Sequence, residues 1–302
     1  MDSDRVQPTT PDPNPAKRRR FLNRRRVLTY GAFLGGAAAV GLYAWRIEPH
    51  WVEVVRRDLP IAGLPKALMG RSLIQLSDIH IGPDVDSDYI AAQFALVSSL
   101  RPDILVFTGD FLTASEGLPL DEMTRLLRRI DRPPLGMFAI LGNHEYGYYW
   151  SEAKVGDTVA KRLRELGLKV LRNEHCLVEG LQIVGLDDLW GPNFDAPKAF
   201  AVVNWSGPTL TLCHNPDAVD RDDFRPCRGW VLSGHTHGGQ CKPPFLPPPL
   251  LPVKNKRYTA GEFDIGEGRR LYINRGLGHL LRVRFNVRPE ITVFRLVSDP
   301  TA

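Results

Sequence analysis

Residues 72–80 read Ser-Leu-Ile-Gln-Leu-Ser-Asp-Ile-His, a short aliphatic run that closes on an Asp-x-His pair. The pattern recurs down the chain. Residues 104–108 are followed by Gly109-Asp110, 137–141 by Gly142-Asn143-His144-Glu145, 209–213 by His214, and 230–233 by Gly234-His235-Thr236-His237. Short β-branched or aliphatic runs bounded by polar clusters read as buried strands. Residues 89–100, 120–130 and 153–166 have helical spacing, so strand and helix alternate through the first half. The second half is richer in strands, at 169–171, 181–186, 271–273 and 291–296, which predicts a second sheet packed on the first. No repeat and no linker divides residues 47–302, so one α/β domain is expected there. Residues 243–252 are too rich in proline for a central strand and must form a loop.

The polar clusters carry the chemistry. Groups just beyond the carboxyl ends of strands in an open α/β sheet converge on one crevice, so five sequence-distant clusters are expected to meet. In extended chain, residues two apart point the same way, which would aim each Asp-x-His or His-x-His pair at one ion or two adjacent ions. Gly109, Gly142 and Gly234 would let backbone turn sharply where a side chain would intrude. Oxygen and imidazole donors without thiolate suit Mn, Fe, Zn or Co. Asp78, His80, Asp110, Asn143, His214, His235 and His237 exceed the needs of one ion, so two divalent ions are expected, with a carboxylate such as Asp110 bridging them.

Charge separates the two ends of the chain. Residues 1–46 hold nine Lys/Arg against three Asp, leaving 30 Lys/Arg and 31 Asp/Glu in the remainder. The folded part is thus electrically balanced, and nucleic acid is not a favoured partner. Arg18-Arg19 with Phe21-Leu22, then Arg24-Arg25-Arg26, precede nineteen uncharged residues, 27–45, which include four Gly and five Ala. Basic cluster followed by mildly apolar run is the order of an export signal. The four cysteines, Cys176, Cys213, Cys227 and Cys241, form no C-x-x-C pair, and Cys213 sits in a largely apolar run that suits a buried thiol.

Taken together, these motifs resemble the calcineurin-like metallophosphoesterase superfamily, in the family's order from about Ser72 to Leu296. The twin-arginine start, Gly234–Gln240 reading GHTHGGQ, Arg275-Gly276-Leu277-Gly278 and Pro289-Glu290-Ile291-Thr292 are similar to the bacterial YaeI and YkuE type of phosphodiesterase. The resemblance implies a four-layer α/β/β/α sandwich of two mixed sheets flanked by helices. It further implies one ion on Asp78, His80 and His237, another on Asn143, His214 and His235, and Asp110 between them. His144 is left free to protonate the leaving oxygen while a hydroxide held by the ions attacks phosphorus, with Asp110 or Glu145 orienting its ring.

Several expectations are finer. Residues 1–46 read as a twin-arginine signal or membrane anchor and 47–302 as the phosphoesterase domain, which places the catalytic part outside the cytoplasm, in the periplasm or cell envelope. The export machinery, a membrane or envelope surface, and a phosphodiester of a lipid headgroup or envelope polymer are the expected partners. Removal of the segment at Ala37-Ala38-Ala39 and retention as an anchor over 27–45 both stay open. Tyr146, Tyr148, Tyr149 and Trp150 line a substrate pocket or fill core; Arg275, Arg282 and Arg284 are candidates for a substrate phosphate, with a solvated strand face the other reading of Arg282 and Arg284. The loop at 245–251 is a plain surface turn or an apolar lip beside the metals. Two rivals remain: a nuclease or nucleotide phosphoesterase, and an envelope-binding module with secondary hydrolase activity.

Overall fold

The computed structural model describes residues 23–113 and 117–299. The twin-arginine residues Arg18, Arg19, Phe21 and Leu22 lie outside them. The chain divides into an N-terminal segment, residues 1–41, and one compact unit, residues 42–302. In the segment, helix α1 (Arg24–Leu42) buries none of its side chains. The stretch Arg24–His50 is long and apolar enough, by length and composition, to cross a membrane.

The compact unit begins with strands β1 (Glu53–Ile61) and β2 (Ser72–Leu76), followed by α2 (Ser87–Ser99), β3 (Ile104–Thr108), α3 (Leu120–Leu127) and β4 (Met137–Ile140). Next come α4 (Ala153–Glu165), β5 (Lys169–Val170), β6 (Glu174–Val178), β7 (Leu181–Gly185), α5 (Ala196–Phe200) and β8 (Thr209–Leu212). Strands β9 (Gly229–Ser233), β10 (Gly261–Gly266), β11 (Arg269–Ile273) and β12 (Glu290–Ser298) complete it. They form two mixed six-stranded sheets, ordered β1-β12-β2-β3-β4-β5 and β10-β11-β9-β8-β7-β6.

Three buried layers explain the apolar runs. Ile74, Leu76, Leu105 and Phe107 face outward from the first sheet onto Phe94, Val159 and Leu163 of α2 and α4. Their strand neighbours Leu73, Ile104 and Val106 face inward, against Leu181, Ile183, Leu210 and Leu232 of the second sheet. The outer face of the second sheet packs Val184, Val231 and Leu271 on Phe200 and Phe224. Strands buried on both faces lose the alternation of a half-exposed strand and read as continuous apolar runs. This is the four-layer α/β/β/α arrangement expected from the resemblance. Asp86 starts α2 as its cap, accepting hydrogen bonds from the amides of Asp88 and Tyr89.

Four elements had no clear sequence signal: β1, β6, β10 and α5. Strands β1, β6 and β10 are sheet edges, half in water, and their charged residues interrupt the pattern; Pro60 sits in β1 as an edge position permits. Cys176, Cys213 and Cys227 are buried free thiols, and Cys241 is free and half-buried.

Candidate metal centre

The loops leaving β2, β3, β4, β8 and β9 meet, and all seven expected donors, Asp78, His80, Asp110, Asn143, His214, His235 and His237, are buried there. Asp78–His80–His237 and Asp110–His214–His235 form two clusters that could hold an ion, and a third, His80–Asp110–His144, overlaps both. In the first, His237 Nε2 lies 3.0 Å from His80 Nε2 and 3.3 Å from Asp78 Oδ1. In the second, His214 Nε2 lies 3.2 Å from Asp110 Oδ2 and 3.3 Å from His235 Nδ1, which is also 3.0 Å from Asn143 Oδ1. Asp110 Oδ2 is 3.6 Å from His80 Nε2, so one carboxylate oxygen stands between the clusters.

The outward ring nitrogens fix what the inward ones are. His214 Nδ1 donates to the Thr108 carbonyl at 2.6 Å and His235 Nε2 to the Pro252 carbonyl at 2.9 Å. Carbonyl oxygens only accept, so in the neutral rings His214 Nε2 and His235 Nδ1 carry bare lone pairs. In that state the lone pairs crowd the Asp110 carboxylate, and positive charge between them, a proton on His214 or a cation, relieves the crowding. A divalent cation satisfies such an arrangement, and the outward bonds are the kind that hold metal-binding imidazoles in orientation. His80 is held similarly, its Nδ1 lying 3.0 Å from Thr113 Oγ1.

Electrostatics agree with that fit. Burial holds His80 and His237 well below the ordinary histidine range and brings His235 down to about 3, so these rings stay neutral and ready to ligate. Burial also opposes the charged form of His214, yet the adjacent Asp110 carboxylate raises it well above its usual value. Burial works against ionised Asp110 too, and His214 and His144 still hold it well below the carboxylate range. The pocket thus draws positive charge to the space between Asp110 and His214. Asp78, pushed up first by burial and then by Asp110, rises to about 7.

The backbone differs from the expected one. The Asp-x-His and His-x-His pairs are not extended: Asp78, His80, Asp110, His235 and His237 have φ between +49° and +69°. The pairs converge through left-handed turns, and His235 and His237 go to different clusters. The glycines act as expected. A Cβ on Gly142 would stand 2.8 Å from His214 Nε2, one on Gly109 2.7 Å from His214 Nδ1, and one on Gly234 would overlap Ser77 Oγ and Asp78 Oδ2.

Comparison with known proteins follows the same lines. A family model described as calcineurin-like phosphoesterase matches residues 72–239. The chain belongs to that family. It is similar to the Bacillus subtilis protein named uncharacterized metallophosphoesterase YkuE, 33% identical over 92% of this chain and 98% of that one. The Escherichia coli phosphodiesterase YaeI is 31% identical over 92% and 100%. The Chlamydia trachomatis UDP-2,3-diacylglucosamine pyrophosphatase LpxG is 30% identical over 87% and 95%. The chain is accordingly a metal-dependent hydrolase of phosphoesters.

Around this phosphoesterase centre the remaining expectations separate. His144, only partly buried, holds its ring 4.8 Å from that of His80 and 6.4 Å from that of Trp150. Its backbone amide donates to Asp110 Oδ1 at 3.0 Å. Glu145 serves the backbone rather than the His144 ring: its carboxylate accepts from the amides of Asp110, Gly142 and Leu112 and locks two ligand loops together. Trp150 stacks on Trp190, which meets His235 edge-on at 4.4 Å, so both indoles border the centre. Tyr148 and Tyr149 are exposed.

Two substrate-binding candidates have partners within the fold. Tyr146 is fully buried against α4, its hydroxyl donating to Asp187 and accepting from Arg172, so no substrate reaches it. Arg275 is already neutralised, by Glu290 at 2.5 Å and Glu53 at 2.9 Å, and has no charge to spare for a phosphate.

Sequence reading also missed residues. Asp188 follows β7 as Asp110 follows β3; it is wholly buried, with one carboxylate oxygen unpartnered, and burial raises it to about 6. The strand-end rule applied to 181–188 finds it. Arg284, open in the sequence between a phosphate ligand and a solvated strand face, is instead fully buried beside His237, donating to the carbonyls of Arg275, Gly276, Gly278 and Val287. No local pattern marked it or Thr113.

Proposed function

We propose that the chain is a phosphodiesterase acting at the cell envelope on lipid-headgroup or envelope phosphodiesters, with two divalent ions at this centre. Asp78, His80 and His237 would hold one ion, Asn143, His214 and His235 the other, with Asp110 shared. The observation that carries it is the pair of donor clusters with Asp110 Oδ2 between them, 3.2 Å from His214 and 3.6 Å from His80. Divalent ions held by these residues would supply a nucleophile from water near neutral pH and offset charge on the phosphoryl oxygens. The chain's own work is to aim the donors, through Thr108, Thr113 and Pro252, and to offer a proton from the solvent-reachable His144 to the leaving oxygen.

Residues 1–46 act in this reading as the twin-arginine signal or anchor and 47–302 as the catalytic domain. The apolar stretch Arg24–His50 and the charge imbalance before it support export. The LpxG relative favours a lipid-linked substrate, including a diacylated sugar joined to a nucleotide through pyrophosphate.

The test is hydrolysis by the manganese-loaded full chain of an aryl phosphomonoester, bis(p-nitrophenyl) phosphate, a glycerophosphodiester lipid and UDP-diacylglucosamine. His144→Ala should lower turnover by about 10²–10⁴-fold with both ions retained, whereas Asp110→Ala should lose metal as well. Inactivity on all four with two ions bound sinks the reading.

A further inference from the structure

Beside the centre lies an exposed surface that catalysis does not explain. Three segments build it: residues 42–52, where the chain enters the compact unit, 240–252, and 279–288. They are knitted together by hydrogen bonds. Gln240 donates to the carbonyls of Leu281 and Val283 and accepts from the Leu280 amide, and Lys242 N donates to Phe285 O at 2.8 Å. Arg284 N donates to Ala44 O at 2.9 Å, Val287 N to Glu48 Oε1, and Arg288 to the carbonyls of Trp51 and Val52.

The chemistry of this surface is one-sided. Phe245, Leu246, Leu250, Leu280, Leu281 and Val283 are all exposed, Phe245 entirely so. Trp45, Ile47 and Trp51 extend the patch, with Arg46 over the Trp45 ring at 5.3 Å and Arg288 over Trp51 at 4.2 Å. Across all three segments the sequence has one carboxylate, Glu48, and it is buried. Arg46, Lys242, Arg282 and Arg288 therefore stand among apolar and indole side chains with no exposed acid in these segments. Large apolar patches rimmed by cations and tryptophan match the boundary of an anionic bilayer, where indoles sit at headgroup level and arginines meet lipid phosphates.

Two further facts select a bilayer over a second protein. The apolar stretch Arg24–His50 runs into the first residues of the unit, which begins at Leu42, so a membrane that holds this stretch ends within or next to residues 42–52. The same loops are also continuous with the centre. Pro252 at the end of one holds His235, and Gly278, the residue before the other, donates to the Asp78 carbonyl at 2.7 Å.

We infer that residues 42–52, 240–252 and 279–288 form a membrane-docking rim that seats the centre on an anionic lipid surface, so that a substrate enters by its headgroup while its acyl chains remain in the bilayer. This deepens the lipid reading above, and its first test does not depend on that reading. Full-length chains in a Cys241→Ser background carry Phe245→Cys, Leu281→Cys or, as a distant control, Leu177→Cys. Each is labelled with an environment-sensitive fluorophore and placed in vesicles of phosphatidylcholine and phosphatidylglycerol containing doxyl lipid.

Quenching several-fold stronger at 245 and 281 than at 177 is the expected result. Equal quenching at the three sites overturns the inference, as does shielding at 245 and 281 without doxyl quenching, which signals a protein covering. The second test uses Phe245→Ser with Leu281→Ser. Hydrolysis of a vesicle-borne diester should fall about tenfold, the scale of losing one buried apolar side chain, with bis(p-nitrophenyl) phosphate hydrolysis unchanged. A parallel fall on both substrates also overturns it. Should neither substrate be cleaved, the lipid reading fails while the quenching result still decides the rim.

Discussion

Gly142→Ala tests the centre most directly because it separates steric exclusion from backbone strain. Gly142 has φ −101° and ψ −173°, extended backbone open to any residue. Alanine there carries no conformational penalty. Its Cβ, however, would stand 2.7 Å from Asp110 N and 2.8 Å from His214 Nε2 and would overlap Asp110 Oδ1. Ordinary contact begins near 3.4 Å, so relief needs shifts of roughly 0.6 Å at His214 Nε2 and roughly 1.2 Å at Asp110 Oδ1, beyond the ~0.5 Å within which a site holds its geometry. Both displaced residues belong to one donor cluster. Metal affinity should therefore fall about 10–100-fold, the scale of lost ligand orientation. Gly261→Ala is the converse: φ is +88°, nothing lies within 4 Å of the new Cβ, and the left-handed backbone alone should cost about 1–2 kcal/mol. Manganese titration by calorimetry into stripped full-length chains, with thermal unfolding alongside, reads both. Gly142→Ala with native metal affinity, or Gly261→Ala with equally weakened affinity, would refute the reasoning.

Three further outcomes follow from the same contacts. Burial raises Asp78 to about 7 in the metal-free chain, whereas an unfolded aspartate titrates near ~4; its stabilising contribution is full below about pH 4 and is lost as pH rises through about 7. Unfolding of wild-type and Asp78→Asn chains in EDTA should accordingly show the variant gaining ground up to about pH 7 and holding level above it. Arg284→Leu leaves buried carbonyls without donors and should cost about 3 kcal/mol or more in denaturant unfolding, and Arg284→Lys should not restore it because lysine lacks the planar fork. Tyr146→Phe removes one hydrogen bond to Asp187, which keeps those from Arg172 and the Asp188 amide, and should cost about 1–2 kcal/mol of stability with the KM for bis(p-nitrophenyl) phosphate unmoved.

The parts of this protein legible in its sequence are those where local pattern and three-dimensional role coincide. Strands β2, β3, β4, β8 and β9 are buried on both faces, so their apolar runs are continuous, and each donor follows its strand at once. Arg284 shows the opposite case. Charge alone puts an arginine on the surface, and only the fold reveals four carbonyls turned toward one guanidinium. Tyr146 fails for a related reason: it lies two residues from His144 in sequence, but a 3-10 turn over Asn143–Tyr146 swings its ring away onto α4. Asp188 was within reach of the rule that found Asp110, and only β7's lack of a histidine or glycine-aspartate signature hid it.

The left-handed backbone at five of the seven donors links the fold to the chemistry. Non-glycine residues in that region cost about 1–3 kcal/mol each and persist only where neighbours over-determine them. At Asp78, His80 and Asp110 they are over-determined by pairing that continues past the strand ends: Asp78 N donates to Gly109 O, Ile79 N and His80 N to Asp110 O, and Gly278 N to Asp78 O. Every one of these bonds joins two ligand loops or a ligand loop to the 276–279 segment. Aspartate and histidine are among the side chains that tolerate this backbone best, so the residues that hold a cation are also those able to take the turns that bring them together. An extended His-x-His would send both side chains to one face along a strand. The turned one places His235 and His237 in separate clusters two residues apart, which is what allows a single short loop to serve both sides of Asp110.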